Sequence, residues 1–319
     1  MAEPDPLSPV RLSLVVPCFN EEQVLPQAIA RLRALLDALE ASGSIAPESV
    51  ITFVDDGSKD ATWRLIKVAN ANDARIRGLM LSSNRGHQNA LLAGLLTAPG
   101  DVLISLDADL QDDLAAIPKM LAAHARGAEI VYGVRTRRAP DGVFKSATAL
   151  TYYWLLRRLG ANVIPDHADF RLMSRRAIDA LTRFDEVNLF LRGVVPLLGF
   201  TSEIVEYERQ PRLAGQSKYS FAKMAALAFD GIFAFSTVPL SWITFLGFFG
   251  AMASIAAGLW ALWARLMSGQ ALPGWASTVI PMYFLGSVQL LALGIIGGYV
   301  SRIYSETKRR PRFIIDKSI

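Results

Sequence analysis

Residues 100–113, GDVLISLDADLQDD, decide both the fold and the site. Residues 102–106 form an unbroken run of apolar or small side chains behind a Gly-Asp turn, which reads as a buried strand. The run then releases Asp107, Asp109, Asp112 and Asp113 at its carboxyl end. In an extended chain residues i and i+2 point the same way, so Asp107 and Asp109 converge on one point. With the amide oxygen of Gln111 beside them, these carboxylates suit a hard divalent cation that keeps part of its water and takes its other ligands from phosphate. The same acids would also serve as a solvated turn that caps a helix starting near residue 114, so the surrounding chain has to decide.

Outward from this stretch, short apolar runs alternate with helical periodicity. Strands are expected over 12–16, 50–54, 77–81, 102–106 and 130–133. Between them, Ile29, Leu32, Leu35, Leu36 and Leu39 recur at helical spacing, and further helices are expected over 61–71, 88–96 and 114–126, with Asp60 capping the first of these three. Such alternation implies an α/β fold with a mostly parallel sheet covered by helices on both faces. Ligands of such sheets bind outside the carboxyl ends of the strands. The polar clusters 19–22, 55–58 and 107–112 all lie there. No G-x-G-x-x-G follows the first strand and no G-x-x-x-x-G-K-[ST] occurs anywhere, which argues against a dinucleotide oxidoreductase and a P-loop NTPase. Acids in place of glycines favour a nucleotide whose phosphates are held through a metal.

The 319 residues carry a net charge of +4 and a mean hydropathy of +0.29. No charged residue occurs from 231 to 264 or from 266 to 301. Each gap exceeds the roughly 20 residues that span a bilayer, so two transmembrane helices are expected, over 238–262 and 279–299. Basic residues flank the pair, with Lys218 and Lys223 before it and Arg302, Lys308, Arg309, Arg310, Arg312 and Lys317 after it. The connecting loop holds only Arg265, so both ends are expected on the cytoplasmic side of the inner membrane. The opening residues MAEPDPLSPV lack the apolar region of a signal peptide. Cys18 is the one cysteine, and His87, His124 and His167 are scattered, which disfavours a disulfide framework and a zinc site. Basic residues gather near the spans and not on a soluble face, so nucleic acid is not an expected partner.

Seven segments occur in order: VVPCFNEE (15–22), VDDGSKD (54–60), RGHQNALLAGL (85–95), GDVLISLDADLQDD (100–113), DFRLMSRRA (169–177), FLRGVV (190–195) and RLAGQSKYS (212–220). Together they resemble the polyprenyl-phosphate glycosyltransferases of the inverting glycosyltransferase family 2, which include dolichyl-phosphate mannose synthases and bacterial undecaprenyl-phosphate glucosyltransferases. The resemblance covers about residues 12–219, and the two spans match the bacterial architecture. It implies a GT-A catalytic domain over 1–219, an interfacial amphipathic helix over 220–236, two membrane helices within 237–301 and a basic cytoplasmic tail over 302–319.

The resemblance also implies roles. Pro17, Phe19 and Glu21 would line the nucleotide pocket, with Asp56 accepting from a ring nitrogen of the base and Asp55 beside it. Asp107 and Asp109 resemble the Asp-x-Asp pair that reaches the ribose and a diphosphate-bound Mg2+ or Mn2+, with Gln111 completing the shell. Arg135 would clamp a phosphate or else belong to a solvated basic loop. Asp169 is the candidate base, but a lipid monophosphate already carries roughly −1.5 to −2 charges near neutral pH, so Asp169 either removes a proton or orients the sugar or acceptor. Asp166 flanks the same loop. Arg192, Arg209, Arg212 and Lys218 form the basic complement, for the lipid phosphate or for anionic headgroups. His87 reads as a structural or loop residue at a helix start.

The expected activity is inverting transfer of a sugar, glucose from UDP-glucose first, onto undecaprenyl phosphate. GDP-mannose, N-acetylhexosamine and aminoarabinose donors stay open. A processive polysaccharide synthase would want a Q-x-x-R-W run and more spans. A dead membrane scaffold would not need Asp107, Asp109 and Asp169 together. The Gly- and Ala-rich spans, and the habit of the resembled family, point to a homo-oligomer.

Overall fold

β1 (Leu12–Cys18) and β2 (Val50–Asp55) are buried at every position and pair in parallel through Cys18 and Asp55. β3 (Ile76–Leu81) continues the parallel set beyond β2, and β4 (Val102–Ser105) flanks β1 on its other side. The computed structural model describes residues 9–135, 167–186, 191–208, 238–268 and 275–319. Among these, eight strands form one sheet in the order β7-β5-β6-β4-β1-β2-β3-β8.

β1 runs two residues beyond its expected end, through Pro17. The Leu106 N–H donates to the Val15 carbonyl, so Val15 addresses β4, and the β1–β4 pairing stops at Val15 and Ser105. Pro17, two residues on, faces that same side, where no ladder partner needs the N–H that proline lacks. This extension carries the Phe19–Glu22 segment to the strand ends.

Beyond β4 the sheet changes direction. β6 (His167–Ser174) lies antiparallel between β4 and β5 (Ile130–Arg135), and β7 (Ser202–Tyr207) is parallel to β5. Alternation of the strands divides the core. Val15 and Val54 meet α3 (His87–Thr97), whereas Leu12, Leu14 and Val16 join Leu25, Leu32 and Leu36 of α1 (Leu25–Ala41) in a separate cluster. α3 lies directly on the strands at Gly94, where a Cβ would stand 2.3 Å from Val15 Cγ1 and 2.8 Å from Val54 Cγ2. That close seat fixes the first turn of α3, His87 and Gln88, over the carboxyl ends of the parallel strands.

α2 (Thr62–Asn72) and α4 (Ala116–Ala125) complete the alternation, and α5 (Arg175–Leu181) and α6 (Leu191–Leu197) follow β6. α5 is capped by Ser174, whose Oγ accepts from the Ala177 N–H at 3.1 Å. Asp169 therefore sits in a strand and caps no helix.

The basic tail expected over 302–319 is in part a strand. β8 (Ile315–Ser318) pairs antiparallel with β3, joining Leu79 to Ser318 and Met80 to Lys317. Its side chains are largely exposed, so its backbone, which covers an open sheet edge, makes the pairing.

The chain divides into two compact units, and all eight strands belong to the first. The second contains α7 (Val238–Ser268) and α8 (Trp275–Thr307). Each helix is long and apolar enough to cross a membrane, over Leu240–Trp260 and Phe284–Thr307. Trp242, Phe245, Phe248, Phe249 and Leu259 are exposed on α7, an apolar surface that water does not favour. Residues 220–236, expected as an interfacial helix, lie outside the described residues.

Candidate active site

The loops after β1 and β2 are stitched into one wall. The Asn20 N–H donates to Ser58 Oγ at 2.9 Å, and the Lys59 N–H returns a bond to Asn20 Oδ1 at 2.9 Å. Glu21 N–H donates to Thr62 Oγ1, and Glu22 and Asp60 are joined through Glu22 N–H to Asp60 Oδ2. Asn20 takes a left-handed φ of 55°, which asparagine tolerates. Pro17 is buried beneath this wall, and Phe19 is 43% exposed on it.

The two acids that end β2 have different surroundings. Both oxygens of Asp56 accept from the next loop, Oδ1 from the Arg85 N–H at 2.7 Å and Oδ2 from the Gly86 N–H at 2.9 Å. Asp55 Oδ1 accepts from the Ser58 N–H at 3.1 Å, while Asp55 Oδ2 is buried with no hydrogen-bond partner among the described residues. A buried polar atom without a partner is rare in native proteins and often marks a ligand or ion position. Burial raises both carboxyls above the ordinary range. Between them and the β3–α3 loop there is no spare room, since a Cβ at Gly57 (φ 69°) would lie 2.9 Å from Asn84 N.

After β4 the chain turns and does not stay extended as the i, i+2 argument assumed. The Leu110 N–H donates to the Asp107 carbonyl at 3.2 Å, and Leu110 takes a left-handed φ of 46°. Gln111 supports Asp109, its backbone N–H on Oδ1 at 3.3 Å and its amide nitrogen on Oδ2. Burial raises the Asp107 carboxyl to about 6; His87 opposes the rise, and Asp112, Asp169 and Asp109 add to it. Negative charge crowded in this way is relieved by a cation. Among the described residues no group of three or more His, Cys, Asp or Glu is arranged to hold a metal ion. Two acids with water and phosphate oxygens still fit Mg2+ or Mn2+, which seldom sit in all-protein cages.

Arg135 is tied into the scaffold. It donates to Asp112 Oδ1 and to Tyr207 Oη, both at 3.1 Å, and the Tyr207 hydroxyl donates to the same Asp112 oxygen. The Tyr207 ring stands edge-on to Phe170 at 5.2 Å, which aims its hydroxyl at the turn. These contacts join the ends of β5 and β7 to the Asp107–Asp112 turn.

Asp169 is the hub of a second cluster, beside the acid turn. Ser105 Oγ donates to its carbonyl and holds β6 against the end of β4. Its carboxylate accepts from Arg171 Nη2 at 2.6 Å, from Arg192 Nε at 3.2 Å and Nη2 at 3.0 Å, and from Gln88 Nε2 at 3.4 Å. His87 Nε2 lies 3.4 Å from Asp169 Oδ2 and 3.5 Å from Asp107 Oδ1, so it links the two acids. Burial alone would raise the Asp169 carboxyl, but His87, Arg171 and Arg192 together hold it well below the usual carboxylate range. The Leu191 N–H donates to Gln88 Oε1 at 3.1 Å, which fastens α6 to α3.

Asp107, Asp169, Arg192 and His87 thus come together, whereas Asp55, Asp56 and Phe19 form the neighbouring wall. Arg209, Arg212, Lys218 and Asp166 lie outside the described residues. His87, Gln88 and Arg171 were not singled out from sequence as site residues. Two signals were available: 87 and 88 open a helix that follows a parallel strand, and all three residues lie in the segments 85–95 and 169–177 that carry the resemblance.

The chain belongs to glycosyl transferase family 2, whose match covers residues 13–182. Among its relatives, the uncharacterized glycosyltransferase YkoT of Bacillus subtilis is 48% identical over 307 residues, 96% of this chain and 91% of that protein. The SfII prophage-derived bactoprenol glucosyl transferase of Shigella flexneri is 38% identical over 311 residues, 97% of this chain and 98% of that protein. Among solved structures, the mannosyltransferase PcManGT from Pyrobaculum calidifontis, in complex with GDP-Man and Mn2+, aligns over 96% of this chain and 88% of its own, at a TM-score of 0.47 and 15% identity. The expected fold, a mostly parallel sheet with helices followed by two long apolar helices, is the one observed.

Proposed function

We propose that the protein transfers a sugar, with inversion, from UDP-glucose to polyprenyl (undecaprenyl) phosphate at the cytoplasmic face of the inner membrane. The observation that carries this reading is the link made by His87 between a metal-suited acid turn and a cationic cluster on Asp169. One half suits a nucleoside diphosphate, and the other suits a second anion. A relative matched over nearly its full length and named bactoprenol glucosyl transferase supports the acceptor and the sugar.

Asp107 and Asp109, buttressed by Gln111, would hold Mg2+ or Mn2+, which when bound neutralises charge on the departing nucleoside diphosphate. Pro17, Phe19 and Glu21 line the base and ribose. Asp55 Oδ2, buried and without a hydrogen-bond partner among the described residues, is an acceptor for a ring N–H of the base, beside Asp56, which also braces the Arg85–Gly86 loop. Arg192, with Arg209, Arg212 and Lys218, receives the lipid phosphate; Arg135 keeps the turn in place through Asp112.

Chain connectivity supports the membrane reading. The first unit contributes β7 before α7 and β8 after α8, so two crossings return the chain to the side it left.

Calorimetric titration of the full chain with UDP-glucose and GDP-mannose, in the presence of Mn2+, tests the donor. UDP-glucose is expected to bind, and Asp55→Ala to weaken it about tenfold, the loss of one charge-assisted hydrogen bond. Binding of GDP-mannose alone would redirect the reading to mannosyl transfer, and binding of neither would contradict it.

A further inference from the structure

The Asp169 carboxylate is only 6% exposed and is crowded by donors. Arg171, Arg192, Gln88 and His87 approach it from β6, α6 and α3, and Asp107 stands behind His87. A carboxylate offers about four lone-pair sites, and these contacts fill them. A group placed so has no free lone pair to offer an incoming hydroxyl or phosphate.

Exposure leads to the same conclusion. Two guanidiniums share this one carboxylate. Arg171 is fully buried, while Arg192 and His87 keep 39% and 44% of their side chains exposed. The open part of the cluster therefore presents nitrogen donors while its carboxylate is hidden, which suits an anion.

We propose that Asp169 is a positioning residue and not a base: it fastens Arg192 and His87 at the acceptor end of the site and takes no proton during transfer. The inference rests on the phosphate-acceptor reading above. A lone pair of the acceptor's phosphate oxygen forms the new bond to the anomeric carbon. The bond from that carbon to the β-phosphate oxygen breaks, and its electron pair leaves with the nucleoside diphosphate. Atoms and charge balance with no proton transferred, so a base has nothing to do.

The test is the pH dependence of transfer by the full chain at saturating Mn2+, with a polyprenyl phosphate and with the matching phosphonate, whose second ionisation lies higher. The acid limb is expected near pH 6 for the phosphate, to move upward with the phosphonate, and to move equally in Asp169→Asn. That variant is expected to raise the acceptor KM about tenfold and to leave the donor KM within about twofold. An acid limb that stays in place when the acceptor is changed would overturn the proposal.

If Asp169→Asn does not fold, Arg192→Gln carries the test from the exposed side of the cluster. A raised acceptor KM with an unmoved limb supports the proposal, and an unchanged acceptor KM contradicts it. Failure of the wild type to use either acceptor would remove the phosphate-acceptor reading itself, and this inference with it, a pattern distinct from any variant result.

Discussion

Replacing Asp109 with alanine is expected to slow sugar transfer about a thousandfold or more. On the proposed reading Asp109 and Asp107 are the two protein carboxylates that hold the cation, so losing Asp109 would remove a protein ligand and one negative charge together. Stabilising charge on a departing diphosphate through a metal is worth several kcal/mol, and about 4 kcal/mol corresponds to three decades of rate. The fold should survive, because Asp109 is half-buried and its partners are two groups of the neighbouring Gln111. Initial rates with excess donor, alongside circular dichroism, measure both quantities. A variant within tenfold of wild type would mean that the turn does not carry the cation.

Arg171→Met is expected to cost stability more than any other single change in the site. The side chain is fully buried, pairs with Asp169 at 2.6 Å and donates to the Leu191 carbonyl at 3.3 Å. Breaking a buried pair from one side typically costs 3–5 kcal/mol, and about 3 kcal/mol is expected here because Arg192 remains on Asp169. For a unit of this size that lowers the melting midpoint by roughly 6 to 12 °C. Adding Asp169→Asn to the same chain removes the other charge and is expected to restore part of the loss. A double variant less stable than Arg171→Met alone would show that Asp169 stabilises the fold more through Arg192, Gln88 and His87 than through Arg171.

The parallel strands and the acids at their ends were legible because burial on both faces writes unbroken apolar runs, and a strand end exposes whatever follows. The run 102–106, whose Val102–Ser105 is strand, and the acids from Asp107 onward are a direct example. Pro17 marked an apparent strand end, yet the strand passes through it, because a parallel ladder asks for an N–H on one side only at each residue. His87 was legible as a helix start and not as a link between two acids, because its partners come from the turn after β4 and from β6, later in the chain. By sequence Arg135 read as a phosphate clamp or as part of a solvated basic loop; Asp112 and Tyr207, brought by two other elements, tie it in as a brace. β8 left no trace in the pattern, since Ile315–Ser318 pairs through backbone groups that every residue carries.

The central claim is that this chain joins a sugar to a lipid phosphate. It is tested most directly by incubating the purified full chain with undecaprenyl phosphate, Mn2+ and a panel of labelled nucleotide sugars, then extracting the lipid. The account predicts lipid-linked label from UDP-glucose that is lost on addition of chelator. Folded protein that yields no lipid-linked label from any donor would contradict it.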